Sequence, residues 1–336
     1  MNETLKLGIV GLGHVAEHQL KAIEYEKNIK ISAICDFNER KKDNMKWLNN
    51  VRFYKEYKAL FDTDIDAVLI STPNITHYEI CKEALHKGIH VLLEKPATHE
   101  PHLLYELKEI ATSKNLVLHI AYHAAFAKDV IWFINYYHAN GEEILGPLTG
   151  FQCQFYDPYI KTGKLSDHAI NLQGSWIDSG VNALSVIERF LNINSLDINS
   201  SRLGSIEGFD CNEIHGIVDF RFPINGAKRT GRGQIETNWM LNQNYKQTKL
   251  FFDDSNTTII LNHTEQKVYK LKDLEMEELK DCSEGMPRLI NHYIGVMKDF
   301  SYHIKNKTDN LSKSVLLHDL LFKPYSLKEG QKNVIK

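Results

Sequence analysis

Over the first third of the chain, short apolar runs alternate with stretches of helical spacing, and few folds accept that pattern. Lys6–Val10 (KLGIV) reads as a strand and runs into a glycine-rich turn. Val15–Glu24 follows, with Val15, Leu20 and Ile23 at helical spacing. Ile29–Cys35, Ala67–Ser71, His90–Glu94 and Val117–Tyr122 read as further strands. Between them Asn38–Asn49, Thr76–His86 and Pro101–Ser113 read as helices, with Gly88 as a stop signal. The run Ala67–Ser71 is apolar apart from its last residue, which suits the buried middle of a parallel sheet. Strands and helices in this order imply a doubly wound parallel α/β sheet.

After about residue 123 the rhythm changes. A helix is expected over Asp129–His138, then a turn at Gly146-Pro147. Longer strands follow at Leu148–Tyr156, Ile214–Phe222, Gly233–Trp239 and Lys249–Phe252, with a hairpin pair at Thr257–Leu261 and Lys267–Leu271. Helices are expected at Asp178–Leu191, Pro287–Ile304 and Ser314–Phe322. Strands in succession with few crossovers imply an α+β domain with a mostly antiparallel sheet. The length, 336 residues, also favours two domains. The spacing divides them as 1–122 and 123–336.

Composition excludes several classes. The net charge is −3, without the basic excess of a nucleic-acid binder. No stretch approaches the roughly 18 unbroken apolar residues of a membrane span. The opening MNETLKLGIVGLG does not read as a signal peptide. Cys35, Cys81, Cys153, Cys211 and Cys282 are widely spaced and form no CxxC, which fits free thiols in a reducing compartment. The expected location is therefore cytoplasmic. The 16 His show no HExxH and no Cys/His ligand spacing. His86 and His90 are separated by Gly88, and His99 and His102 sit at a helix start, so no metal site is expected.

The turn after the first strand carries chemistry. Gly11-Leu12-Gly13-His14-Val15-Ala16 joins a strand to a helix. Gly11 permits the tight turn, Gly13 admits a pyrophosphate close to the backbone, and Ala16 allows close helix–strand packing. The helix N-terminus, at His14 and Val15, offers N–H groups to the anion. Asp36 ends the second strand, where it can accept hydrogen bonds from the adenosine ribose. It would repel a 2′-phosphate, so NAD is favoured, with NADP possible because Arg40 and Lys41 lie close by. This is a Rossmann dinucleotide-binding fingerprint. Two other strand ends belong to the same edge: Ser71-Thr72-Pro73-Asn74 with His77, and Glu94-Lys95-Pro96.

Together these motifs resemble the glucose–fructose oxidoreductase / inositol dehydrogenase family (Gfo/Idh/MocA). The resemblance extends to Asp178-Ser-Gly-Val-Asn182 in the second domain. It implies a second domain with a large open sheet, one face covering the nicotinamide and the other packing in a homodimer or homotetramer. Family members commonly have His where Asn182 stands. An amide cannot exchange a proton near neutral pH, so Asn182 can only orient substrate. Asp-x-x-x-Asn followed by Ala183-Leu184-Ser185 looks like the galactose and arabinose 1-dehydrogenase branch. Relatives often carry Arg in the stretch where this chain has Ala125, which counts against substrates that need that Arg for a carboxylate or phosphate.

The resulting expectation is an NAD(P)-dependent dehydrogenase that moves a hydride between the nicotinamide and a sugar hydroxyl, an aldose 1-dehydrogenase. Lys95 is the expected acid/base, or the donor that polarises the C1 hydroxyl, with Asp178 as the fallback base and Asn182 orienting the sugar. His123 and Trp176 are expected substrate contacts; for Trp176 a core position is equally open, and for Asp178 a plain helix cap. Tyr156, Tyr159 and His168 could line the pocket. The rival readings are an inositol or sugar-nucleotide dehydrogenase, a biliverdin-reductase-like enzyme, and a non-catalytic NAD sensor.

Overall fold

The computed structural model describes residues 4–45, 48, 51–205, 213–224, 228–254 and 256–332. The chain forms two compact units, one of residues 1–123 with 289–315 and the other of residues 124–288 with 316–336. The expected division at 122/123 has no such return of the chain. Residues 289–315 rejoin the first unit because α9 (Arg288–Asn306) turns a face with Ile290, Tyr293, Val296, Met297 and Phe300 into a core.

In the first unit, β1 (Leu5–Val10), β2 (Ile29–Cys35), β3 (Arg52–Tyr54), β4 (Ala67–Ile70), β5 (His90–Glu94) and β6 (Leu118–Ala121) form one sheet. Its order is β3-β2-β1-β4-β5-β6, with every pairing parallel. All four residues of β4 are buried, as a central parallel strand requires. The helices are α1 (Ala16–Ile23), α2 (Tyr57–Phe61), α3 (His77–His86) and α4 (Pro101–Ser113). The order reverses between β1 and β4, and such switch points are where open α/β sheets hold ligands. Instead of the expected helix over Asn38–Asn49, a 3₁₀ segment spans Glu39–Met45, and residues 46, 47, 49 and 50 lie outside the described residues. The short β3 and α2 carry no periodic signal and were not expected.

The second unit contains α5 (Lys128–Tyr136), α6 (Glu142–Leu145), α7 (Asp167–Ile170) and α8 (Val181–Ile187). Its strands are β7 (Leu148–Tyr156), the small pair β8 (Ile160–Lys161) and β9 (Lys164–Leu165), β10 (Asp197–Gly204), β11 (His215–Ile224), β12 (Arg229–Asn238), β13 (Tyr245–Phe252), β14 (Thr257–Asn262), β15 (Lys267–Lys272) and β16 (Glu275–Asp281). An eight-stranded sheet runs β10-β11-β12-β7-β13-β14-β15-β16. Only β12 and β7 pair in parallel; the other neighbours are antiparallel, as expected. α10 (Leu311–Lys332) starts in the first unit and ends in the second.

Among the described residues, no helix is long and apolar enough to cross a membrane. Cys35, Cys81, Cys153 and Cys282 are buried free thiols, and Cys211 lies outside the described residues.

Candidate active site

The first unit assembles its expected residues at the carboxyl ends of β1, β2, β4 and β5. Gly11 has φ +94°, and a Cβ there would stand 2.5 Å from Ser71 O, so no other residue fits without moving β4's end. Gly13 is exposed, and a Cβ there would come no closer than 3.9 Å to any neighbour. The backbone at Gly13 is therefore open to a ligand. His14 is exposed, Val15 is half-buried, and Ala16 is fully buried under the helix. Val15 supplies no side-chain cap to α1; Ala16 N donates to Gly13 O at 3.3 Å and His18 N to Val15 O at 3.0 Å.

Asp36 ties this turn to the end of β2. Its Oδ2 accepts from Leu12 N at 2.9 Å and its Oδ1 from Asn38 N at 2.9 Å. Each oxygen keeps a lone pair for a further donor such as a ribose hydroxyl.

The Ser71–Asn74 turn carries two buried polar atoms, Ser71 Oγ and Asn74 Nδ2, with no partner among the described residues. Buried polar atoms are normally paired, so these two can meet the donors and acceptors of a ligand. Ser71 O lies directly beneath Gly11, so these orphans border the glycine turn. A dinucleotide cofactor, with its phosphates, ribose hydroxyls and amide, has the donors and acceptors they lack. The residues present thus fit the group.

His77 braces rather than binds. It is fully buried, with Nδ1 3.0 Å from Pro96 O and Nε2 2.9 Å from Thr72 O. Burial pushes its imidazole down to about 4, despite hydrogen bonds to the backbone. A neutral ring has one N–H, so it donates to one of the two carbonyls and rests against the other. It clamps the Thr72-Pro73 turn to the Lys95-Pro96 turn. The Lys95-Pro96 peptide is cis.

Glu94 is buried and anchors the base of that second turn. Its Oε1 accepts from Gln19 Nε2 at 2.7 Å and from Tyr293 OH at 2.6 Å, and its Oε2 from Lys95 N at 3.1 Å. Burial pushes its carboxyl above the usual range, against the opposing pull of Tyr293 and Lys95. Lys95 itself is half-buried at the mouth of β5. Gln19 and Tyr293 were missed from sequence. The only clue to Gln19 is a polar residue on the inner side of α1. Nothing local marks Tyr293. His123 stands half-buried beside α9, its Nδ1 3.2 Å from His292 Nδ1 and its ring stacked on that neighbour.

In the second unit, Asp178 and Asn182 sit on one helical run, but its first turn is a π-helix, Trp176–Gly180, ahead of α8. Asp178 is inside this run, its N–H donating to Gly174 O, so it is not a cap. Trp176 proves to be core. It is fully buried, its indole N–H donates to Leu321 O at 2.7 Å, and Gly180 packs on its ring. The preceding bend is held by the buried Glu213, whose Oε1 accepts from Trp176 N at 2.7 Å. A Cβ on Gly174 would lie 2.3 Å from that carboxylate. Asn182 Nδ2 donates to Asp178 O at 3.3 Å, and its buried Oδ1 has no partner among the described residues. That oxygen can accept from a ligand hydroxyl.

Beside Asp178 lies a charged cluster that the sequence reading missed. Asp157, just past β7, accepts from Lys246 Nζ at 2.8 Å, Ser179 Oγ at 2.8 Å and Asn244 Nδ2 at 2.7 Å. Burial alone would push its carboxyl up, but Lys246, Ser179 and Arg288 together hold it below the usual range. Burial in turn pulls the Lys246 ammonium down, only partly offset by Asp157. Arg288 is half-buried, 3.4 Å from Asn244 Oδ1. Ser179 Oγ also lies 3.5 Å from Asp178 Oδ2, which links the cluster to the expected site. The available signal was a lysine in the inward register of β13, where positions 246, 248, 250 and 252 are all buried. Tyr156 and Tyr159 lie at the same end of the sheet, and burial raises both hydroxyls. The side chain of His168 lies outside the described residues.

The comparisons with known proteins agree with this geometry. Residues 5–122 match the GFO_IDH_MocA model, described as "Oxidoreductase family, NAD-binding Rossmann fold". An uncharacterized oxidoreductase, YdgJ of Escherichia coli, is 28% identical over 156 residues, 46% of this chain and 44% of that protein. A UDP-N-acetylglucosamine 3-dehydrogenase of Acidithiobacillus ferrooxidans is 28% identical over 118 residues, 35% of this chain and 37% of that protein. The chain thus spans less than half the length of these two relatives. A crystal structure of a 3-ketoreductase from Actinomadura kijaniata, in complex with NADP and TDP-benzene, superposes with a TM-score of 0.79 at 17% identity. It covers 95% of this chain and 96% of that one, so the fold is shared over nearly the whole length. Over residues 5–122 the chain is thus similar to the Gfo/Idh/MocA oxidoreductases, whose model describes an NAD-binding Rossmann fold.

Proposed function

We propose that the protein is an NAD(P)-dependent sugar oxidoreductase that moves a hydride between the nicotinamide and a carbon bearing a sugar hydroxyl. The observation that carries this reading is the pair of buried, unpartnered atoms Ser71 Oγ and Asn74 Nδ2 beside the open Gly11–Gly13 turn. When bound, the nicotinamide supplies the hydride acceptor or donor. Gly13, the first turn of α1 and Asp36 hold the dinucleotide, and His77 keeps the two neighbouring turns in place. Oxidising a hydroxyl also releases a proton. Lys95 takes it, with Asp178 as the alternative acceptor, and each needs the reacting oxygen within hydrogen-bond reach. Asn182 Oδ1 accepts from a sugar hydroxyl. A location in the cytoplasm fits this chemistry and the buried free thiols.

An aldose oxidised at its anomeric carbon is the substrate that the Asp178-x-x-x-Asn182 pattern supports. A second reading is oxidoreduction at the third carbon of a phosphorylated or nucleotide-linked sugar. It is favoured by the names of the relatives and by Arg288, which supplies a guanidinium although Ala125 does not. The test is nicotinamide absorbance with NAD and NADP against free aldoses, sugar phosphates and sugar nucleotides. Turnover confined to free aldoses supports the first reading, and turnover confined to phosphorylated sugars the second. Lys95→Ala is expected to lower turnover at least about a hundredfold. A near-normal rate in that variant would remove Lys95 from the mechanism.

A further inference from the structure

We propose that His119, Asp299 and His303 bind one divalent transition-metal ion of the zinc class and so pin α9 to the edge strand β6. The three residues lie in the first unit and are separate from the site described above. Asp299 and His303 are four apart on α9 and share a face of it. His119 Nε2 is 3.2 Å and His303 Nε2 3.5 Å from the same oxygen, Asp299 Oδ2. The three ligand atoms lie within 4.8 Å of one another. Ligands at about 2.0–2.1 Å from a tetrahedral zinc stand about 3.3 Å apart, a spacing that the two measured edges bracket. Asp299 and His303 are 33% and 16% exposed, which leaves an open side for a water as fourth ligand.

The amide of Asn310 is fixed, because its Oδ1 accepts from Ile120 N at 2.9 Å and its Nδ2 donates to Ile120 O at 2.9 Å. That Nδ2 lies 3.5 Å from His119 Nε2, at the outer limit of a hydrogen bond. His303 is beyond the usual N–H···O range from Asp299. Its Nδ1 is held by Thr308 Oγ1 at 2.7 Å. A bond of that kind orients the opposite ring nitrogen toward a metal. The buried His119 Nδ1 has no partner among the described residues. The same helix carries Tyr293, which holds Glu94, so an ion here would also steady the base of the Lys95-Pro96 turn.

The test is a titration of chelator-stripped protein with cobalt(II), followed by its visible absorption, then displacement by zinc. One equivalent should give the bands of a four-coordinate nitrogen–oxygen site. His303→Gln and Asp299→Asn, both at half-exposed positions, should weaken binding at least about a hundredfold, and Thr308→Ala about tenfold. Circular dichroism checks that each variant is folded. Absence of a one-equivalent site in the unaltered protein overturns the proposal. So does equal affinity in a folded Asp299→Asn variant, which would place the ion on other histidines.

Discussion

Replacing Lys246 with Met tests whether the Asp157 cluster is a paired charge buried within the second unit. The side chains of Lys246 and Asp157 are 11% and 7% exposed, with the ion pair at 2.8 Å. Met keeps most of the apolar stem of lysine, so the cavity term is small and the loss falls on the charge. Removing one partner of a buried pair costs about 3–5 kcal/mol. Two features place this case in the lower half of that range. Asn244 and Ser179 still donate to Asp157 in the variant. The stranded carboxylate can also escape by protonation, which costs about 4 kcal/mol at pH 7 for a group of unfolded pKa about 3.9. The expected loss is therefore about 3 kcal/mol at pH 7. The pH dependence has a definite sign. The native pKa of Asp157 lies below its unfolded value. Its stabilisation is therefore present above the unfolded pKa and is lost as pH falls through the native one. The gap between the two proteins should accordingly narrow as pH falls through 4. The assay is urea unfolding followed by tryptophan fluorescence, because Trp176 and Trp239 are both fully buried in this unit. The double variant Asp157→Asn/Lys246→Met should recover more than half of the loss. A loss below about 1 kcal/mol for Lys246→Met at pH 7, the level of a surface pair, would refute the reasoning.

Three further outcomes follow from the first unit. Gly11→Ala puts a methyl 2.5 Å from Ser71 O at φ +94°, and is expected to cost about 1–3 kcal/mol and to weaken NAD binding; a thermal scan with and without NAD measures both. Tyr293→Phe removes the hydroxyl that donates to buried Glu94, at a cost of about 1–3 kcal/mol. Because burial already raises the Glu94 carboxyl, the variant should lose more stability as pH rises from 4 to 8, which unfolding curves across that range would show. Asp36→Ser removes the carboxylate that repels a 2′-phosphate, so the ratio of kcat/KM for NADP over NAD should rise; an unchanged ratio would detach Asp36 from cofactor choice.

The cofactor turn was legible because its chemistry is local. Gly11, Gly13 and Ala16 are spaced by one tight turn, and the strand ends that meet them are each marked by a break in an apolar run. The same strand pattern gave most of both sheets, though not β3, β10 or β16, since the period of two survives in β7, β11 and β12 without knowledge of their partners. What stayed hidden depends on register between distant segments. Lys246 faces Phe155 across β13 and β7, and this places its ammonium at Asp157, 89 residues away. Taken to begin at Lys249, the strand reads as an ordinary apolar run and the inward lysine falls outside it. Trp176 shows the converse: its place near Asp178 left a sugar platform and a core position equally open, and the structure puts the indole inward, donating to Leu321 O. His119, Asp299 and His303 go further still. Spacing rules for metal ligands test neighbours in sequence, whereas here the return of α9 to the first unit joins residues 180 positions apart. A ligand set split in this way is visible only once the path of the chain is known, so the absence of a spacing motif says little about whether the fold assembles a site.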